Sequence, residues 1–93
     1  MVSEKVVLNN REGLHVRPAG LFSNEMQRFL SDVWVCHKES LVNGKSIMSL
    51  IAAGIPCGDE VEVRCSGADE EEALARAVEL ISSGLGETGG GCP

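Results

Sequence analysis

Apolar positions change their spacing several times along the chain, and each change marks a different element. Between Glu4 and Leu8 they alternate around Val6 and Leu8, and from Asp59 to Cys65 the alternation returns with Val61, Val63 and Cys65 on one face. A period of two turns one row of side chains to a core and the other to water, so both segments are predicted as half-buried strands. Val33 to Cys36 is a third strand candidate. Ser40 to Val42 is expected to pair back on it through a tight turn near Lys38 and Glu39, giving an antiparallel hairpin. Asn43-Gly44 is a competing turn signal.

Between Pro18 and Leu30 the period lengthens: Phe22, Met26, Phe29 and Leu30 build one face of an amphipathic helix, with Pro18 in its first turn, where a missing N–H costs nothing. In the last predicted helix Asp69 is the N-cap and Glu72 its capping-box partner. Leu74, Ala77, Val78 and Ile81 form its stripe, and Gly84 is the stop. The run Glu70-Glu71-Glu72 favours the macrodipole of a first turn and is read that way rather than as a catalytic carboxylate pair. Ser46 is placed as the N-cap of a brief helix over Ile47-Met48-Ser49-Leu50-Ile51. The order is strand, helix, two strands, short helix, strand, helix. It predicts an α+β fold in which helices cover one face of an antiparallel sheet.

With 93 residues, 43% of them hydrophobic, the chain is long enough for one modest core without metal or disulfide staples. From Gly84 the sequence runs GLGETGGGCP, too rich in glycine and too poor in apolar side chains to be held, so residues 1–84 are expected as the domain and 85–93 as a flexible tail. A net charge of -6, with no Tyr and few other aromatics, argues against nucleic acid as a partner. The absence of an apolar h-region or a span-length apolar run argues against secretion and membrane insertion and points to the cytoplasm. Cys36, Cys57, Cys65 and Cys92 show no CxxC spacing and are read as reduced thiols, with Cys36 and Cys65 packing as small hydrophobes in strands. No metal-ligand cluster and no P-loop or kinase signature is present, so the chain is not expected to bind a metal or nucleotide cofactor itself.

The chemistry lies in Gly13-Leu14-His15-Val16-Arg17-Pro18-Ala19, between the first strand and the first helix. His15 falls at a helix N-terminus, where unbonded N–H groups and the positive end of the macrodipole favour an anion, and Arg17 adds a charged donor two residues away. An imidazole, with an ordinary pKa of about 6.5, offers a neutral nucleophilic nitrogen near physiological pH. His37, in or at the end of a strand, is read as structural.

These residues resemble HPr, the histidine-containing phosphocarrier of the bacterial phosphoenolpyruvate-dependent sugar phosphotransferase system. GLHVRPA carries the likeness first, and Asn43-Gly44-Lys45-Ser46-Ile47-Met48 carries it second. The resemblance implies an open-faced β-sandwich of βαββαβα order, its four antiparallel strands arranged 1-4-2-3 with three helices on one side. It implies that His15 accepts a phosphoryl group on ring Nδ1, with Arg17 contacting the phosphate and Pro18 starting the helix. Enzyme I would be the donor and IIA domains of sugar permeases the acceptors, so the chain is a carrier with a transient phosphohistidine and not an enzyme. Ser46 falls at the family's regulatory phosphorylation site, which adds a serine kinase or phosphorylase and a transcriptional regulator as partners. Val16, Gly20, Ile47, Met48 and Ile51 are expected to form an apolar docking surface beside His15.

Val16, Gly20 and Ser49 depart from common family residues without removing a reacting group. Glu12 adds a negative charge near the phosphate site, which is expected to weaken the phosphorylated state. The alternative is a paralogous, nitrogen-branch or regulatory HPr-like protein acting mainly through protein binding. Regulatory relatives of that kind lack the active histidine, whereas His15 is present here.

Overall fold

A computed structural model describes residues 1–86. Its elements are β1 (Val2–Val7), α1 (Val16–Met26), β2 (Asp32–His37), β3 (Ser40–Asn43), α2 (Ile47–Ala53), β4 (Glu60–Ser66) and α3 (Glu70–Ser82). The strands form one antiparallel sheet in the order β1-β4-β2-β3. The predicted element order and the sheet order implied by the resemblance are both observed.

The register explains which face is covered. Val61, Val63 and Cys65 of β4 sit opposite Val6, Glu4 and Val2 of β1, and Val35 and Val33 of β2 stand across from Val63 and Cys65. The buried row of β4 and β2, with Val42 of β3, meets Phe22 and Met26 of α1, Leu50 of α2 and Ala73, Ala77, Leu80 and Ile81 of α3 in one core. Burying a side chain such as Phe22 contributes on the order of 1.5–3 kcal/mol. The hairpin turn lies at Lys38 and Glu39, where Lys38 has φ 55, a left-handed backbone suited to a two-residue connection. The Asn43-Gly44 signal is used as well, for the turn from β3 into α2, where Asn43 Oδ1 accepts the Lys45 N–H at 2.9 Å.

Tertiary partners override local pattern in four places. First, α1 ends at Met26, and Leu30, expected on its buried face, is 84% exposed. The Met26 carbonyl takes the Phe29 N–H at 3.1 Å, the Asp69 carboxylate takes those of Leu30 and Ser31, each at 2.9 Å, and the Phe29 carbonyl accepts from Lys45 Nζ at 2.7 Å. The groups that would prolong the helix are thereby engaged.

Second, Asp69 occupies the N-cap position of α3 without a side-chain capping bond, because its carboxylate is committed to Leu30 and Ser31, so the expected capping box with Glu72 is not what holds this end. The buried stripe of α3 is Ala73, Ala77, Leu80 and Ile81, with Leu74 and Val78 only half-buried, a small rotation from the expected face.

Third, the expected tail begins too early. Gly84, at φ 90, donates to the Ile81 carbonyl and Leu85 to the Leu80 carbonyl, the paired bonds of a Schellman ending, and Leu85 is buried in the core. The rest of the expected tail, residues 87–93 with Cys92, lies outside the described residues.

Fourth, Cys57 is disulfide-bonded rather than a reduced thiol. The absence of a CxxC spacing does not preclude a bridge, which needs only proximity in space. Cys36 and Cys65 are free thiols, and burial pushes the Cys65 thiol up to about 11.

Candidate functional site

The loop from Leu8 to His15 is fastened from both ends. The Leu8 N–H donates to the Asp59 carbonyl at 3.0 Å and the Gly58 N–H to the Leu8 carbonyl at 2.7 Å, so the end of β1 and the approach to β4 hold one another. Asn9 reaches the last turn of α3, its Nδ2 donating to the Ser82 carbonyl at 2.9 Å. Buried Asn10 then closes a turn: its carbonyl accepts the Gly13 N–H, and its Nδ2 donates to the Gly13 carbonyl.

Gly13 is the tightest point. At φ +72 it lies so close to the segment after α2 that a Cβ there would stand 2.4 Å from the Ile55 carbonyl oxygen and 2.9 Å from Pro56 Cα. Only glycine accommodates both the backbone angle and the approach. The next residue, Leu14, donates its N–H to that Ile55 carbonyl at 2.9 Å and buries its side chain. His15 follows with its placement fixed.

His15 is the N-cap of α1, in extended backbone, and its carbonyl accepts the Ala19 N–H at 2.9 Å. The His15 N–H is taken by the Gly13 carbonyl, and Pro18 has no N–H to offer. The donors that helix geometry leaves without an intrahelical acceptor in this turn are therefore the N–H groups of Val16 and Arg17. They follow His15 directly in the chain, and its imidazole is 34% exposed and makes no side-chain capping bond. Arg17 is exposed on the same turn and Pro18 is buried beneath it. The Glu12 carboxylate stands 3.9 Å from His15 Nε2. A solvent-reachable imidazole beside two backbone donors, the positive helix end and a guanidinium-bearing residue suits a group that carries an anion.

Ser46 caps α2 as predicted: its Oγ accepts the Ser49 N–H at 3.3 Å, and Gly54 closes the other end in the left-handed region. Only Leu50 of this short helix is fully buried, whereas Met48 is 72% exposed and Ile47 38%. Across from it on α1, Val16 is 63% exposed, and Ile47 Cδ1 leans to 3.2 Å from where a Cβ on Gly20 would sit. Ile51 is half-buried and packs against the core. The five residues expected to form an apolar surface thus lie on the facing helices α1 and α2; Val16, Ile47 and Met48 are exposed, whereas Gly20 and Ile51 are half-buried.

His37 stands apart from this site and pairs with Asp59, Nε2 to Oδ2 at 2.7 Å, tying the end of β2 to the start of β4. Among the described residues no cluster of His, Cys, Asp and Glu is arranged to hold a metal ion. Among them, too, no helix is long and apolar enough to cross a membrane.

A family model described as the PTS HPr component phosphorylation site matches residues 2–83. The chain belongs to the HPr family. It is 38% identical over 87 residues to phosphocarrier protein HPr of Neisseria meningitidis serogroup A, covering 94% of this chain and 98% of that one. It is 43% identical over 81 residues to the HPr-like protein Crh of Bacillus subtilis, covering 87% and 95% of the two chains. The crystal structure of HPr-C-His from Thermoanaerobacter tengcongensis superposes with a TM-score of 0.89 at 40% identity, over 94% of this chain and 98% of that one. HPr proteins are phosphocarriers of the phosphotransferase system, not catalysts, and that general role applies here.

Within this HPr-family chain the sequence singled out His15, Arg17, Pro18 and Ser46, but gave no role to Asn10, Gly13 or Ile55, on which the placement of His15 depends. Only the glycine left a trace, as the first residue of GLHVRPA and one able to take positive φ. Leu21, also 38% exposed on α1, carries no signal in the sequence, since its spacing belongs to no stripe.

Proposed function

We propose that His15 accepts a phosphoryl group from enzyme I and passes it to IIA domains of sugar permeases, in the cytoplasm. A lone pair of the neutral imidazole forms a bond to phosphorus while the bond from phosphorus to the donor breaks, and the second transfer reverses this step on the acceptor. The Val16 and Arg17 N–H groups and the Arg17 guanidinium stabilise the transferred group, and Pro18 sets the backbone of the turn. Val16, Gly20, Ile47, Met48 and Ile51 dock both partners, and Ser46 is the regulatory phosphorylation site, served by a serine kinase or phosphorylase and read by a transcriptional regulator.

The observation that carries this reading is the position of His15: a partly exposed ring at the N-cap of α1 that is not used as a cap. The experiment is incubation with enzyme I and phosphoenolpyruvate, followed by intact-mass measurement at alkaline pH, where phosphohistidine survives. Gain of one phosphoryl group, lost in His15→Ala with the fold retained, is the expected result. No gain in the wild-type chain sinks the carrier reading.

A second reading, a regulatory HPr-like protein working through protein binding at Ser46, is favoured by the 43% identity to Crh. The same mass measurement separates the two, because that role requires no phosphoryl group on His15.

A further inference from the structure

We propose that Glu12 is a positioning residue for His15, one that keeps the ring proton on Nε2 and anionic phosphorus off that nitrogen. The proposal rests on the reading of His15 as the phosphoryl acceptor. Its basis is the contact between Glu12 Oε2 and His15 Nε2, 3.9 Å apart across the turn whose backbone is pinned by the Asn10–Gly13 bond and by the Gly13–His15 bond.

A neutral imidazole has one N–H and one lone pair, whereas an ionised carboxylate only accepts. With the carboxylate on the Nε2 side, an N–H there is attracted and a lone pair there is repelled. The favoured tautomer therefore leaves the lone pair, and with it the nucleophilicity, on Nδ1. A phosphoryl group on Nε2 would stand against the carboxylate, while one on Nδ1 projects from the opposite side of the ring. When Nδ1 bonds to phosphorus, the electron pair of the breaking bond leaves with the donor. The ring keeps its Nε2 proton and gains positive charge next to Glu12, and no oxidant or reductant is involved. The negative charge of Glu12 thus opposes phosphorylation chiefly at the wrong nitrogen and steadies the ring charge for the right one. It is not simply a penalty on the phosphorylated state.

Glu12 is largely exposed, so its effect is bounded by that of surface ion pairs, about 1.5- to 5-fold in the tautomer ratio. The test compares wild type with Glu12→Gln, which keeps the size and removes the charge. Nitrogen-15 NMR of the unphosphorylated proteins reads the ratio of the two His15 tautomers, with His37, held by Asp59, as an internal reference that should not move. Treatment with phosphoramidate, a small-molecule phosphoryl donor, followed by phosphorus-31 NMR reads the ratio of Nδ1 to Nε2 products. The expected result is a shift toward the Nδ1–H tautomer and toward Nε2 product in Glu12→Gln, with the differences shrinking in ~1 M salt. An unchanged value of either ratio overturns the proposal. Failure of enzyme I to phosphorylate the wild-type protein would sink the carrier reading instead, and the tautomer ratio would still be measurable.

Discussion

The Leu14 N–H is held by the Ile55 carbonyl at 2.9 Å, and through this bond the loop that presents His15 is seated on the chain leaving α2. The helix bearing Ser46 and Met48 and the loop bearing His15 therefore share one backbone support.

Gly13→Ala tests that support. The new methyl group would fall 2.4 Å from the Ile55 carbonyl oxygen at a backbone φ of +72. Strain and displacement together are expected to lower stability by about 2–4 kcal/mol in urea unfolding and to slow phosphoryl acceptance by His15. An unchanged unfolding midpoint would show that the loop does not sit on Ile55 in solution.

Asp69→Asn tests the clamp between α3 and the end of α1. The Ser31 hydroxyl, and then the Leu30 N–H, hold the Asp69 carboxyl below its ordinary value. The folded state thus binds this proton less readily than the unfolded one. The resulting stability is fully present above the unfolded value of about 3.9 and is lost as pH falls through the depressed folded value. The variant should unfold at lower urea than wild type at neutral pH, and the gap between them should narrow below about pH 4. A gap independent of pH would mean that charge plays no part in the clamp.

Met48 and Leu50 are neighbours on α2 with opposite tasks. Met48→Ser, at a 72% exposed site, is expected to change stability by no more than about 0.5 kcal/mol yet raise the apparent KM for enzyme I several-fold. Leu50→Ala, at a fully buried site, should instead cost about 2–5 kcal/mol of stability. Steady-state phosphorylation and urea titration of both variants check the division, and an unaltered KM for Met48→Ser removes α2 from the docking surface.

Ser46→Asp should suppress phosphorylation of His15 at low salt and recover part of the rate as salt is raised, because the added charge sits beside the surface assigned to docking. The fold should survive, since a carboxylate also caps a helix and suits its positive end. Ser46→Ala is the control, expected to accept phosphate normally while losing at least about 0.5 kcal/mol from its cap. A Ser46→Asp protein as fast as wild type at low salt would return Ser46 to a purely structural cap.

What was legible in the sequence was whatever a local repeat encodes. Val61, Val63 and Cys65 alternate because one face of β4 is dry, and Phe22 and Met26 recur because one face of α1 is dry. Ser46 announced α2 because a cap acts on its own next turn. Features depending on distant partners were misread: Asp69 looked like a cap for α3 but serves Leu30 and Ser31, 39 and 38 residues away. Leu30 continued the pattern of α1, yet the helix stops before it. The same holds at the candidate site. GLHVRPA marks His15 by residue type, whereas the contacts of Gly13 and Leu14 with Ile55 join segments about 40 residues apart, which no local period reports.

The start of α1 also shows a conflict between durability and reactivity. A helix selected only for thermal endurance would carry Asp, Asn or Ser where His15 stands, and at N3 a residue with an N–H for that cap to serve, where Pro18 stands. This chain instead leaves the Val16 and Arg17 N–H groups without an intrahelical acceptor beside an imidazole, the arrangement that the proposed phosphoryl transfer uses. His15→Asn should accordingly be no less stable than wild type, because it restores a capping oxygen while removing the nucleophile. Heat tolerance and carrier activity are then opposed at one position. A screen of this protein for stability alone would be expected to enrich variants that have lost His15.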